Sequence, residues 1–484
     1  MRSIFSIAAG AIVAWSFYPN HWWAAILGIA VLLTTLDSQA RVTRLKLAGL
    51  FALTFFAFHV RWVSVLGNDA WVGLALLCTL PWLLFAILPI DSKSKWFYVQ
   101  PAAMVIILEA IRSNVPWGGF PWGLLAFSQL DGPLVNLATL GGQAIVSGAV
   151  VVCAAALIKL IRHRSLTSVL IVVVCLLTAR SVDIMPSNET ITFSAIQGNV
   201  PRIGNELSVQ RAAVLENHIS TTKKLLSEID SGASLVPDLI VWPESSTDID
   251  PLVPGIAADE INSLFTDSDI PILIGATTWI GYDAYSGGSG PTNSGILWTE
   301  SGPGQIYSKN HLVPFGEYIP LREVLAKWIT RFDQIPNDFL PGTEPGVFNI
   351  ADKQVGDVIC FEVAFANHIY QTINAGAQVV VVQTNNATYG NTGQPEQQFA
   401  ITRFRAIETQ RAFLVASTSG ISGLIQNDGS VSQQTKKFRS EIVTGAAPLI
   451  TEKTQSTKYP HWMLITSLVT LLISTRHSWI RKTR

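Results

Sequence analysis

Long runs of apolar residues fill the first 180 residues of the chain and recur once near its end. A helix needs about 20 mostly apolar residues to cross the hydrocarbon core of a bilayer, and eight runs approach that length. One short run could be a buried core helix, whereas a series of such runs cannot. The pattern predicts a multi-pass α-helical membrane bundle of about eight spans, at 4–18, 21–36, 45–65, 71–90, 99–111, 134–160, 166–178 and 460–474.

The pattern changes after residue 180 to short β-type runs, several of them separated by helical periodicity. Strands that alternate with helices are typical of layered α/β domains. We predict a transmembrane bundle over 1–180, an α/β domain over 181–459, and a last transmembrane helix with a basic tail over 460–484. The α/β domain has predicted strands at 191–197, 239–242, 272–276, 295–298, 305–308, 355–360, 379–383 and 413–417, and helices at 209–229, 259–265, 364–375 and 396–410.

Composition supports the membrane prediction, because only 14% of the residues are charged and 49% are hydrophobic. The net charge of −1 hides an asymmetry: residues 1–180 hold 12 basic and 5 acidic residues, and the remainder holds 21 and 29. The basic residues gather in alternate loops and in the C-terminal tail. The positive-inside rule then places both termini in the cytoplasm and 181–459 outside the cytoplasmic membrane. The basic charge therefore indicates topology and not a nucleic-acid surface.

Two charges and an aromatic loop interrupt the apolar pattern near the outer end of the fifth predicted span. Glu109 and Arg112 lie one helical turn apart, so they could form an interfacial ion pair or serve a function. The loop at 116–123 contains Phe120 and Trp122 among turn-forming residues. It could be an interfacial aromatic belt or a lipid-handling loop.

The positions of the four cysteines give the first indication of a catalytic residue. Cys78, Cys153 and Cys175 lie in predicted spans, whereas Cys360 is the one cysteine of the α/β domain and ends an apolar strand. It is either an inert buried thiol or a nucleophile. Two other predicted strands are followed by Glu244 and Lys309. Since the carboxyl ends of strands are where α/β sheets collect reactive groups, these three residues form a candidate site.

The three residue types form a coherent set for acyl chemistry. A thiol must lose its proton to attack a carbonyl carbon, and Glu244 can accept that proton. Lys309 can stabilise the thiolate and the oxyanion, with help from the backbone N–H of Phe361. Each motif alone is weak evidence.

The order Glu244, Lys309, Cys360, with the sequence around each residue, resembles the nitrilase superfamily. That resemblance implies a Glu-Lys-Cys triad on an α-β-β-α sandwich. With its flanking spans, the whole chain resembles the bacterial apolipoprotein N-acyltransferase family. The segments that carry this second resemblance are 120–122, 128–134, 197–201, 311–318, 384–390 and 403–408.

The resemblance implies a role for each site residue. Glu244 would be the general base, Lys309 the oxyanion stabiliser and Cys360 the nucleophile. Glu317 would orient or polarise the triad, and Glu362 would support the site. Phe120, Trp122 and Tyr389 would be candidates for lipid contact.

The resemblance also implies a two-stage reaction in the bacterial inner membrane. Cys360 would take an acyl chain from a phospholipid and pass it to the α-amino group of a diacylglyceryl-cysteine on an apolipoprotein. The enzyme would act as a monomer among membrane lipids, with its catalytic domain on the extracytoplasmic side. No metal, cofactor or nucleic acid would be required.

The sequence departs from the family pattern at three places, which affects lipid gating rather than the triad. Phe361 replaces the usual tyrosine, Thr388 replaces a tryptophan, and 203–207 contains no tryptophan. Two other functions stay open: a membrane-tethered amidase that uses water as acceptor, and a lipid transporter or receptor with an outer domain. A hydrolase built on Ser245 and His311 is disfavoured, because no nucleophile-elbow motif surrounds the serine.

Overall fold

A computed structural model of the chain describes residues 1–200, 207–247, 249–266, 268–279, 290–325 and 337–482, without side chains at 207–212 and 476–482. Residues 203–206 of the tryptophan-free segment and the side chains of the basic C-terminal tail lie outside this description. The chain forms two compact units. The first comprises Met1–Asp183, Ile407–Thr409 and Thr454–Arg484, and the second comprises Ile184–Ala406 and Gln410–Lys453.

The first unit is helical, and its helices follow the predicted apolar runs. Among the described residues, three helical segments are long and apolar enough to cross a membrane: Arg41–His59, Asn68–Ala86 and Val135–His163. Each of the last two joins an α-helix to a 3₁₀ turn. Shorter apolar helices cover Arg2–Trp15, Trp23–Leu36, Leu166–Arg180 and Trp462–Thr475, and the predicted span 99–111 is the helix Gln100–Arg112. The remaining α-helix bounds are Asn68–Thr79, Ala138–His163, Gln455–Lys458 and Trp462–Lys482.

The described residues of the second unit form two six-stranded sheets. Its described α-helices are Leu207–Asp230, Ile256–Ser263, Arg322–Leu325, Ala366–Asn374 and Gln394–Thr409, of which the last belongs to this unit as far as Ala406. The strands are β1 Thr190–Gln197, β2 Leu239–Val241, β3 Ile272–Thr278, β4 Thr292–Thr299, β5 Gly302–Ser308, β6 Gly346–Ile350, β7 Lys353–Ile359, β8 Val379–Thr384, β9 Phe413–Ser417, β10 Gly423–Ile425, β11 Val431–Gln434 and β12 Glu441–Pro448. The sheet orders are β12-β1-β2-β3-β4-β5 and β11-β10-β9-β8-β7-β6.

Alternation along the strands builds the core between the two sheets, because successive side chains of a strand point to opposite faces. Ile191 and Phe193 of β1 share one buried cluster with Val355 of β7 and Val379 and Val381 of β8. The other face of the first sheet packs on the helices Leu207–Asp230 and Ile256–Ser263. The described residues therefore form the layered α/β domain that the sequence pattern predicted, with the two stacked sheets that the family resemblance implied.

All eight predicted strands and all four predicted helices of the α/β domain are present, with ends shifted by a few residues. The sequence pattern did not predict β6, β10, β11 and β12. Three of these are edge strands and the fourth has three residues. Edge strands are paired on one side only, so they show little of the apolar pattern by which a buried strand is recognised.

Candidate active site

Three strand ends of the second unit carry the predicted triad. Glu244 follows β2, Lys309 follows β5 directly, and Cys360 follows β7 directly. The backbone N–H of Lys309 donates to the carbonyl of Asn293 on β4 over 2.8 Å, which fixes the start of the lysine loop. The reactive groups are therefore attached to the sheets, whose backbones are held by ladder hydrogen bonds.

Lys309 joins the two predicted carboxylates. Its Nζ donates to Glu244 Oε1 over 3.1 Å and to Glu317 Oε1 over 2.8 Å, and only 1% of its side chain is exposed. Burial acts to lower the pKa of Lys309, but the two carboxylates outweigh it and hold that pKa well above its ordinary value. Lys309 is therefore an ammonium group at neutral pH, placed as a fixed positive charge in the site.

Two asparagines that were not predicted as site residues complete this cluster, Asn293 through its side chain and Asn385 through its backbone. Asn293 Nδ2 donates to Glu244 Oε1 over 2.7 Å and to Glu317 Oε1 over 2.9 Å. The backbone N–H of Asn385, just after β8, donates to Glu244 Oε2 over 2.7 Å. The backbone N–H of Val313 donates to Glu317 Oε2 over 2.7 Å. All four carboxylate oxygens thus accept hydrogen bonds, which fixes the direction in which each carboxylate points.

Cys360 lies in a strained and largely enclosed position. Its φ of +54° is in the left-handed region of backbone conformation, which residues other than glycine rarely adopt. Gln398 Nε2 donates to the Cys360 carbonyl over 3.1 Å. Burial, followed by the charge of Glu244, raises the pKa of the Cys360 thiol to about 12, against the opposing effect of Lys309. The resting group is therefore a thiol, and its attack on a carbonyl requires a base.

Glu362 connects the cysteine turn to the lysine loop. Its fully buried carboxylate accepts hydrogen bonds from the backbone N–H groups of Ile359 (2.7 Å), Asn310 (2.6 Å) and His311 (3.0 Å). The Tyr307 hydroxyl donates to the same carboxylate. Burial acts to raise the pKa of Glu362, but His368 and the backbone donors lower it to about 2. Glu362 is therefore ionised, and it aligns the loops that carry Lys309 and Cys360.

Replacing Glu362 by glutamine is expected to lower the free energy of unfolding by about 2 kcal/mol, because hydrogen bonds to a charged group contribute about 1.5–3 kcal/mol. The folded-state pKa lies below its unfolded value, so the stabilisation is complete above about pH 4.5 and is lost as the pH falls toward about 2. Thermal unfolding of both proteins at neutral pH and at about pH 3 checks this. The matched control is Glu300→Gln, at an exposed turn. Equal midpoints for wild type and Glu362→Gln at neutral pH would contradict the assignment.

The remaining predicted residues of this unit surround the cluster. Phe361 is buried, and its ring packs edge-on against Phe365 with centroids 5.0 Å apart. The ring of His311 stacks on that of Phe365 with centroids 4.3 Å apart. Burial raises the pKa of Tyr389, with the charges of Cys360 and Glu244 adding to it, so this phenol lies within electrostatic reach of the site. Thr388 beside it is exposed.

The aromatic loop of the first unit and the backbone just after it are held by the two charges found in the sequence. Arg112 donates to the carbonyls of Phe120 over 2.7 Å and Trp122 over 2.6 Å. Glu109 Oε1 accepts from the backbone N–H of Leu125 over 2.8 Å. The rings of Phe120 and Trp122 stack with centroids 6.0 Å apart. Arg112 therefore anchors this loop, and Glu109 holds the backbone of Leu125 just after it.

Proteins of known families are similar to this chain along most of its length. Residues 9–156 match the family model for the apolipoprotein N-acyltransferase N-terminal domain, and residues 204–459 match that for carbon-nitrogen hydrolases. An apolipoprotein N-acyltransferase of Mycolicibacterium smegmatis is 32% identical, over 97% of this chain and 84% of the relative. One from Vibrio cholerae is 26% identical, over 96% and 94%.

Among solved structures, an amidase of the nitrilase superfamily from Nesterenkonia is 16% identical. That match covers 55% of this chain and 94% of the amidase, with a TM-score of 0.39. The two family models together cover most of the chain, and the M. smegmatis enzyme aligns along nearly all of it. The chain therefore belongs to the apolipoprotein N-acyltransferase family.

Proposed function

We propose that this enzyme transfers an acyl chain from a phospholipid to the N-terminal diacylglyceryl-cysteine of an apolipoprotein, by way of a thioester on Cys360. The observation that carries the mechanism is the buried Lys309 ammonium at the end of β5, which is bound to Glu244 and Glu317 and whose charge acts on the Cys360 thiol. An apolipoprotein acceptor and a phospholipid donor follow from the family to which the chain belongs.

In the first stage Glu244 takes the proton of the Cys360 thiol as the sulfur attacks the ester carbonyl of the phospholipid. A carbon–sulfur bond forms, and the charge that develops on the carbonyl oxygen is stabilised by Lys309 and by the backbone N–H of Phe361. The ester carbon–oxygen bond then breaks, and Glu244 returns the proton to the departing oxygen. A lysophospholipid leaves, and the acyl chain remains on the enzyme.

In the second stage the α-amino group of the acceptor attacks the thioester carbonyl. Glu244 takes a proton from the amine, the carbon–sulfur bond breaks, and that proton restores the Cys360 thiol. Asn293 and Glu317 hold Glu244 and Lys309 in place through both stages. Because all of these groups belong to one chain, we propose that the enzyme acts as a monomer.

We also propose a membrane arrangement of about eight spans, formed by residues 1–180 and 460–484. It places residues 181–459 on the extracytoplasmic side of the bacterial inner membrane. The gathering of basic residues in alternate loops supports this orientation. Apolar side chains exposed on the helices support contact with lipid, among them Leu170, Leu177, Ile465 and Leu472. Phe120, Trp122 and Tyr389 are proposed lipid contacts.

The test is to incubate the purified enzyme with labelled phospholipid and no acceptor. Mass spectrometry of the digested protein should find one acyl chain, thioester-linked to Cys360, with one lysophospholipid released per chain transferred. Adding a peptide with an N-terminal diacylglyceryl-cysteine should then move the label to the peptide amine. No adduct, or an adduct elsewhere, would refute the two-stage scheme. An adduct that water removes while the peptide receives no label would instead favour the amidase function.

A further inference from the structure

Two polar side chains lie in the apolar core between the two sheets. Asp357 on β7 lies two residues from both Val355 and Ile359, so its side chain points to the same face of the sheet as theirs. Gln383 on β8 lies two residues after Val381 and likewise shares its face. Asp357 and Gln383 are both fully buried. Burying a carboxyl or an amide in such a layer costs free energy unless its polar atoms are hydrogen-bonded.

Both side chains point at the same place on the opposite sheet. A Cβ atom at Gly295 of β4 would lie 2.2 Å from Asp357 Oδ2 and 2.8 Å from Gln383 Oε1, so these two oxygens surround one point. Glycine is required here because any side chain would collide with them. In the part of the chain that the structure describes, neither carboxyl oxygen of Asp357 makes a hydrogen bond of normal geometry, and no donor reaches Gln383 Oε1.

When two acceptor oxygens lie close together in a buried layer and no donor reaches them, one of the two groups is expected to carry a proton. An ionised aspartate can only accept, whereas a protonated one supplies an O–H donor. The titratable groups that act on Asp357 favour protonation: Glu362, on the turn after β7, is negative, and Tyr307, on β5, is neutral. Burial, followed by the charge of Glu362, raises the pKa of Asp357 well above its ordinary value, against the smaller opposing effect of the Val358 backbone N–H.

We propose that Asp357 is a neutral carboxylic acid that donates a hydrogen bond to Gln383 Oε1, and that this pair positions the strand end carrying Glu244. The proposal rests on the role of Glu244 as general base in the proposed function. Asp357 touches none of the reacting atoms and acts only through Gln383.

The link to Glu244 runs through the Gln383 amide. Its Nε2 donates to the carbonyl of Trp242 over 2.6 Å, two residues before Glu244. An amide can turn over and exchange its oxygen and nitrogen, which here would set an oxygen against the Trp242 carbonyl. A donor at Oε1 prevents that exchange. The proton on Asp357 therefore keeps Gln383 Nε2 hydrogen-bonded to the Trp242 carbonyl at the end of β2. Glu244 follows two residues later.

The experiment compares the acyl-enzyme formation rate of two variants with that of the wild type. Asp357→Asn keeps a donor for Gln383 Oε1 without a charge, so we expect a rate close to that of the wild type. Asp357→Leu keeps the approximate volume and removes the donor. We expect its rate at saturating phospholipid to fall about 100-fold with KM little changed, because a base misplaced by about 1 Å costs on that order. Asp352→Asn, on the exposed turn between β6 and β7, is the matched control.

Infrared spectroscopy reads the proton directly and does not require activity. The difference spectrum of wild type minus Asp357→Asn at neutral pH should contain the C=O stretch of a protonated carboxylic acid, whereas that for Asp352→Asn should contain carboxylate bands. Carboxylate bands for Asp357 would overturn the proposal. So would an Asp357→Asn variant as slow as Asp357→Leu, or an Asp357→Leu variant as fast as the wild type. A wild type that forms no acyl-enzyme would refute the proposed function, and the infrared result would still decide the state of Asp357.

Discussion

Replacing Cys360 by alanine is expected to abolish acyl transfer, with a loss of more than about 10⁴-fold, because the proposed scheme carries the acyl chain from donor to acceptor on the sulfur of this residue. Cys360→Ser is expected to be nearly inactive, since a hydroxyl is a much weaker nucleophile than a thiol with the same base. The measurement is transfer of labelled chains from phospholipid to a diacylglyceryl-cysteine peptide. The labelled adduct on the enzyme should disappear together with the transfer.

The matched control is Cys175→Ala, which removes a partly exposed cysteine from the helix Leu166–Arg180 and should leave the transfer rate unchanged. Alanine is tolerated at position 360 about as well as cysteine, because both have a Cβ and meet the same restriction at a φ of +54°. The thermal midpoint of Cys360→Ala should therefore stay near that of the wild type. Full activity in this variant would show that Cys360 is not the nucleophile.

Lys309→Met is expected to reduce acyl-enzyme formation by about 10³-fold, the scale on which removal of one oxyanion-stabilising group acts. Stability should fall as well. Asn293 would still hold Glu244 and Glu317 together, but the buried cation between them would be gone. Removing one partner of a buried ion pair costs about 3–5 kcal/mol, because the remaining charge is uncompensated. Single-turnover kinetics and thermal unfolding measure the two effects.

The matched control is Lys353→Met. Lys353 Nζ lies 2.8 Å from Asp238 Oδ1, but this pair is partly exposed, so its loss should cost less than about 1 kcal/mol and leave the rate unchanged. Lys309→Arg should not rescue the lysine, because the planar guanidinium does not fit a site shaped around a single ammonium. A Lys309→Met enzyme with the rate of the wild type would remove Lys309 from the mechanism.

Local pattern was enough to predict much of this protein. Apolar runs located the helices of the first unit, and short β-type runs located the strands that precede Glu244, Lys309 and Cys360. These features are readable because each depends on residues close together in the chain. The same reading missed β12, whose eight residues pair with β1 more than 240 positions away. Its backbone partners, not its own side-chain pattern, make it a strand.

The sequence by itself determined the membrane character of the first unit, the α/β class of the second, the order of the triad residues and the family resemblance. Only the tertiary structure decided that Asn293 holds Glu244 and Glu317 together, that Glu362 binds both reactive loops, that Arg112 anchors the aromatic loop and Glu109 the backbone just after it, and that Asp357 faces Gly295. The physical reason is that hydrogen bonds between distant residues leave no periodic trace in the chain. A buried polar side chain acquires its partners, and therefore its charge state, only when the fold brings them within reach.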